Sequence, residues 1–236
     1  MRLAVMQPYI FPYLGYYQLV NAVDTFVFFD DVNFINKGWI NRNNILAQND
    51  AYRFTVPLKK ASQNKLINEI ELNEYPKWSK DFLKMITQNY KKAPCFPFFY
   101  DWLEKFFARD FLLVSELAAE SVKGIATLLD LPTKFLLSST LSYNVGNDMN
   151  GQDKVLSICR LLEAKTYINP KTAESLGLYD SEKFREEGRD LRFIHMHEIE
   201  YPQFQKDKFV PYLSILDVLM FNDVEGAKQL LGKYSI

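Results

Sequence analysis

Two carboxylates and an amide close one predicted strand: Asp30-Asp31-Val32-Asn33 follows the apolar run Thr25 to Phe29. At the carboxyl end of a strand such a group can hold a metal, an amine or the hydroxyls of a ribose, while the same residue types also close ordinary turns. Asp30 and Asp31 are candidate catalytic groups, with no metal assigned to them. Lys37-Gly38-Trp39-Ile40-Asn41-Arg42-Asn43-Asn44 comes next. Arg42 offers a planar fork for phosphate or carboxylate, Lys37 a point charge, Trp39 a stacking face and Asn41 an amide; together they suit an anionic ligand. Ser138 and Ser139 open a hydroxyl-rich loop that runs to Gly151 and feeds a helix. Hydroxyls, helix-terminal amides and the helix dipole favour an anion, so these serines are expected opposite Lys37 and Arg42 as the second side of a clamp. His195 and His197 share one face of a predicted strand. Without a third ligand at a fitting spacing they do not make a zinc site, and His195 is the candidate base.

The elements that must position these groups begin at residue 3. An apolar run, Leu3 to Met6, leads through a Pro- and Gly-punctuated turn into a predicted helix, Tyr16 to Ala22, and then a buried strand, Asp24 to Phe29. This is the pattern of a βαβ unit, whose first turn lies where open α/β sheets bind ligands. Gln7, Tyr9, Tyr13 and Gly15 in that turn are candidate substrate-binding residues. Pro8 and Pro12 fix φ there, and Gly15 permits close approach. Tyr52 to Leu58 and Leu66 to Leu72 read as paired strands joined by a basic loop. The pattern is helical from about 76 to 131, where apolar spacing predicts packing helices without chemistry and Ser115 is a candidate N-cap. A strand at Lys134 to Leu137, a helix at Gln152 to Leu162 and a strand at Lys165 to Ile168 repeat the βαβ logic. A short helix (Asp180 to Glu187), a strand (Leu191 to Ile199) and a final helical stretch follow, the last carrying Ser214 and Asp217 among apolar neighbours. The expectation is one α/β domain over 1–236: a Rossmann-like, mostly parallel sheet with an inserted helical segment.

Composition narrows the function classes. A formal net charge of −1 gives no overall basic signal, which disfavours nucleic acid as partner. No apolar stretch approaches the roughly 18 residues of a membrane span, and the N-terminal run is too short for a signal peptide. The 2 cysteines, Cys95 and Cys159, form no CxxC pair, consistent with a reducing compartment; a cytoplasmic location is expected. An aromatic content of 15%, with 19 Phe and 14 Tyr, suits thick cores and stacking faces alike.

Several stretches resemble one family. QPYIFPYLGYYQL from Gln7 is similar to the N-terminal signature of the WbqC-like family, bacterial proteins found among polysaccharide and O-antigen biosynthesis functions. Phe28 to Phe34, Gly38 to Asn43, Ser138-Ser139 and Phe209 to Leu219 resemble the same family, in order along nearly the whole chain. The chain departs from the pattern at Asn169-Pro170-Lys171-Thr172-Ala173-Glu174, where the family more usually shows a Ser-Gly type turn.

The resemblance implies a transferase of aminoacyl or glycine type acting on a nucleotide-linked amino sugar, so the expected ligand is a small anionic sugar nucleotide. The cofactor is left open. The alternative is a non-catalytic module that binds the sugar nucleotide or a partner. Nucleotidyltransferase-like α/β proteins, similar only in outline, place a His-x-Gly-His motif after their first strand. Tyr13-Leu14-Gly15-Tyr16 stands there in this chain, so adenylyl transfer by that route is not expected.

Overall fold

The computed structural model describes residues 1–143, 149–205 and 208–236. Its centre is a sheet of six strands in the order β5-β2-β1-β6-β7-β8: Lys134–Leu137, Thr25–Phe28, Arg2–Met6, Thr166–Pro170, Asp190–Met196 and Tyr234–Ser235. The first five run parallel and β8 pairs antiparallel to β7. Counted in chain order, these strands lie 3-2-1-4-5-6, the order of a dinucleotide-binding sheet, which reverses direction between β1 and β6. The expected Rossmann-like, mostly parallel α/β sheet is therefore present.

The central strands are buried on both faces, which is why β1 and β2 read as apolar runs. Ala4, Phe26, Phe28 and Ile168 point into one core with α1 (Leu14–Asn21), the middle helices and the C-terminal helices α8 (Ile215–Phe221) and α9 (Val224–Leu231). Leu3, Val5, Val27 and Tyr167 point the other way, onto α5 (Gly151–Leu161) and Phe184 of α7 (Ser181–Glu186). The inserted helices are α2 (Tyr75–Tyr90), α3 (Phe96–Phe107) and α4 (Val114–Leu128). α2 and α3 pack through rings: Phe107 of α3 meets Phe82 of α2 edge-on at 5.4 Å, and Trp78 stacks on Phe82 within α2 with centroids 5.0 Å apart. Leu113, not Ser115, caps α4, because Glu116 reaches back to accept from the Leu112 and Leu113 amides and leaves Ser115 buried inside the first turn.

One pairing differs from expectation. β4 (Asp50–Thr55) pairs antiparallel with β3 (Arg42–Ala47), a segment read from sequence as loop. Gln48 and Asn49 both take positive φ (51° and 63°), the two-residue turn that joins twisted strands tightly. Of the expected partnership between 52–58 and 66–72 only a single bridge remains, Leu58 to Leu72. Among the described residues no helix is long and apolar enough to cross a membrane.

Candidate functional site

Because the five parallel strands point one way, the segments after Met6, Phe28, Leu137, Pro170 and Met196 all emerge at one edge of the sheet. The sequence-derived candidates lie on those segments, on the hairpin beside them, at the end of β7 itself (His195) or at the start of α1 (Gly15).

The loop between β1 and α1 is held unusually firmly. Phe11 is fully buried with φ at +40°, a conformation that costs a non-glycine residue about 1–2 kcal/mol. Three side chains fix its backbone: the Phe11 amide donates to Ser121 Oγ (3.0 Å), and its carbonyl accepts from Ser214 Oγ (2.7 Å) and from the Asn43 side-chain amide. The Phe11 ring meets Phe106 at 5.3 Å and Phe107 at 5.9 Å, so the inserted helices act as the socket for this loop. Beside it, Tyr16 donates to the Gln7 carbonyl (3.0 Å) and Ile10 to the Ile40 carbonyl (3.1 Å). Gln7 is half-buried.

At the β2 and β5 ends the expected acids and serines meet each other. Ser138 donates to Asp30 (3.0 Å) and also bonds Asp31; the Ser139 amide (3.0 Å) and hydroxyl (2.6 Å) donate to Asp30, and Tyr143 donates to Asp31 (2.7 Å). The Asp30 amide in turn donates to Ser138 Oγ (3.1 Å). In place of the anion clamp, the structure has a clasp in which serine hydroxyls satisfy carboxylates and tie two strand ends together. A buried carboxylate (Asp30, 2% exposed) claims those hydroxyls more strongly than a free anion would. The middle of that loop, 144–148, lies outside the described residues.

On the hairpin side, Tyr9 and Trp39 rings lie 6.1 Å apart, and the Arg53 guanidinium sits over Trp39 at 5.2 Å. Burial raises the Tyr9 phenol well above the usual tyrosine range, with Tyr13 the second cause, and burial followed by Tyr212 raises that of Tyr13. Arg42 is half-buried in β3, and Lys37 stands exposed at φ +61°. Asn41 is buried and donates to the Val56 carbonyl (2.8 Å).

A cavity of about 740 Å³ opens where the strand order reverses. Tyr13 and Gly15 after β1 and Pro170 and Lys171 after β6 line it, as do His195, His197 and Glu198 at the end of β7. Tyr201 and Tyr212 on the segment before α8 complete its wall. His195 and His197 are exposed, with ring centroids 6.4 Å apart. The departure from the family's usual turn at Asn169 does not remove that loop from the cavity: Asn169 is buried and donates to Tyr167 (2.7 Å), while Pro170 and Lys171 line the opening. Gly15 does give close approach, but to protein: a Cβ there would stand 2.1 Å from Met196 Sδ and 2.5 Å from the Tyr13 ring.

The cavity wall is fixed from below by Asp217. This buried carboxylate accepts from Tyr90 (2.7 Å), Tyr201 (2.7 Å) and Gln203 (2.8 Å). Burial raises its pKa, and the three donors oppose the shift. Gln203 also makes two bonds to the Val210 backbone.

Thus the structure gathers Tyr13, Gly15 and His195 at the cavity, Asp30, Asp31, Ser138 and Ser139 in the clasp, and Tyr9, Trp39 and Arg42 beside the hairpin. His197, read from sequence beside His195, lies at the cavity with it; Lys171, Tyr201 and Tyr212 join the cavity, and Arg53 the hairpin group, without having been picked out as site residues from sequence. The Gln48-Asn49 dipeptide between Leu46 and Tyr52 was the one signal that pointed to Arg53, since it sets the register that brings Arg53 beside β3. Among the described residues no group of three or more His, Cys, Asp or Glu is placed to hold a metal ion.

These features define an α/β protein with a cavity at the reversal point of a dinucleotide-type sheet. The chain belongs to the WbqC-like protein family, whose family model matches residues 7–229. It is similar to the uncharacterized protein Rv1507c of Mycobacterium tuberculosis, at 26% identity over 228 residues, covering 94% of this chain and 93% of that protein. No solved structure matches the chain.

Proposed function

We propose that this chain binds an anionic sugar nucleotide at the carboxyl edge of its sheet and acts as a transferase of aminoacyl or glycine type on the sugar's amino group, in polysaccharide biosynthesis such as that of O-antigen. The observation that supports this reading is the cavity between the β1 and β6 ends, since ligands of open α/β sheets bind at the crevice where strand order reverses. Its lining combines ring faces suited to a sugar, a cation at Lys171 and imidazoles at His195 and His197. In the transfer, the sugar nitrogen bonds to the acyl carbon and the bond from that carbon to the donor's leaving group breaks. An imidazole, His195 in the first instance, takes the amine proton and returns it to the leaving group.

A second reading, binding without turnover, draws support from the clasp. Asp30 and Asp31, the other candidate catalytic groups, already accept from Ser138, Ser139 and Tyr143. Incubation with sugar nucleotides bearing a free amine and with activated amino acids, read by mass spectrometry, separates the two. A mass gain equal to the acyl group, lost in His195→Gln, is the expected result. Calorimetric binding with no product under any donor would leave the binding module. Absence of binding to every sugar nucleotide would end both readings.

A further inference from the structure

Arg42 lies in an unusual position for an arginine. It is half-buried, its Nε is shut away from solvent, and among the described residues that nitrogen has no hydrogen-bond partner and the guanidinium no carboxylate within ion-pair distance. A buried donor without a partner is costly, the more so on a charged group. The register of the hairpin places Arg42 opposite Thr55 and Asn44 opposite Arg53. Residues two apart on a strand share a face, so Arg42, Asn44, Arg53 and Thr55 stand on one side of β3 and β4, with Asn43, Ile45 and Phe54 buried on the other. Arg53 is no better matched in charge: its Nε donates to the neutral Asn44 amide (3.3 Å), and its plane covers Trp39. Diagonal neighbours on a sheet face lie about 7–8 Å apart, a span that the oxygens of a diphosphate can bridge. Trp39, still 46% exposed, offers an open indole beside them.

We propose that Arg42 and Arg53 clasp the diphosphate of a nucleoside diphosphate and that Trp39 stacks on its base. Guanidinium forks match phosphate oxygens in pairs, and an indole accepts any base through its face. Trp39 meets Tyr9 at 6.1 Å beside this face, and Tyr13, further along the loop that carries Tyr9, meets Tyr212 at 6.3 Å on the cavity wall, so the sugar end of the same ligand points along the first loop towards the cavity. This placement rests on the sugar-nucleotide reading above, but the arginine pair can be probed without it.

The test is calorimetric titration with inorganic pyrophosphate, with UDP and GDP, and with the corresponding sugar nucleotides, on the wild type and on Arg42→Gln/Arg53→Gln and Trp39→Ala. The double arginine variant is expected to lose affinity for all three ligand types by at least tenfold, at an unchanged melting temperature. Trp39→Ala is expected to weaken the nucleotides severalfold while leaving pyrophosphate untouched. Where the double variant melts lower, Arg53→Gln alone, on an exposed side chain, carries the measurement. Sugar nucleotides that bind wild type and arginine variants equally would overturn this inference and leave the sugar-nucleotide reading standing. Pyrophosphate binding that depends on both arginines, with no sugar nucleotide bound, would sustain the anion face and overturn that reading. A wild type that binds none of these ligands would overturn both.

Discussion

The Tyr201 hydroxyl donates to Asp217 across 2.7 Å, joining a residue that lines the cavity to a carboxylate buried in α8. Tyr90 and Gln203 complete the shell, and the donors are neutral. Asp217 thus positions the cavity wall through Tyr201 and Gln203.

That shell predicts a pH dependence. Burial raises the pKa of Asp217 in the folded chain above its ordinary value of 3.8, so the folded state keeps its proton where the unfolded state has lost it. Stability therefore falls as pH rises from about 3.8 to the raised folded value and is flat in this contribution beyond it. Asp217→Asn should remove that slope. Urea unfolding of both proteins across acid pH measures it, and parallel curves would show that Asp217 titrates normally.

The clasp predicts a stability loss at Ser138. Its hydroxyl bonds both Asp30 and Asp31 and accepts the Asp30 amide, so Ser138→Ala leaves a buried carboxylate and an amide short of partners. Hydrogen bonds to charged groups contribute about 1.5–3 kcal/mol each, and a loss of about 2 kcal/mol is expected on denaturant unfolding. Ser138→Cys, with a weak donor, should recover little of it. A variant as stable as wild type would show that the clasp carries no energy.

Gly15 and Met196 should be coupled. An added Cβ at position 15 overlaps the Met196 sulfur, and overpacking of this kind costs about 1–3 kcal/mol. Met196→Ala makes room, so the double variant Gly15→Ala/Met196→Ala should be more stable than the sum of the single losses predicts. A double-mutant cycle by thermal unfolding reads this directly, and strict additivity would mean that the crowding lies elsewhere.

Ser121 should matter more than a helix serine usually does. Ser121→Ala strips the buried Phe11 amide of its acceptor, at a cost of about 1–3 kcal/mol, and releases one of three restraints on a backbone with φ +40°. Hydrogen exchange should show the Phe11 amide losing protection before the β1 and β2 amides do. Unchanged protection at Phe11 would assign the restraint to Ser214 and Asn43 alone.

The parts of the fold legible in the sequence were those whose local pattern agrees with their burial. β1 and β2 read as strands because parallel strands covered on both faces are apolar almost throughout. The helices of the middle read as helices because buried residues recur along one side of each, mostly ring-bearing in α2 and α3 and mostly aliphatic in α4. β3 was illegible because Arg42-Asn43-Asn44 begins it, polar residues that look like loop until Arg53 and Thr55 are known to lie opposite. At the candidate site the residue types were visible, but the serines' partners were not. Asp30 and Ser139 are 109 positions apart, and no periodicity reports which of two polar loops will turn towards the other.

Phe11 has one more consequence, and it concerns the order in which the chain acquires its shape. The two hydroxyls that hold its backbone come from 110 and 203 residues further along. During synthesis, which runs from the N-terminus, β1 and β2 can form early, but the bend between them has no carbonyl partner from Ser214 until nearly all the residues have emerged. The first loop therefore becomes rigid only after Ser214 is in place, and chains truncated before Ser214 should lack its formed bend.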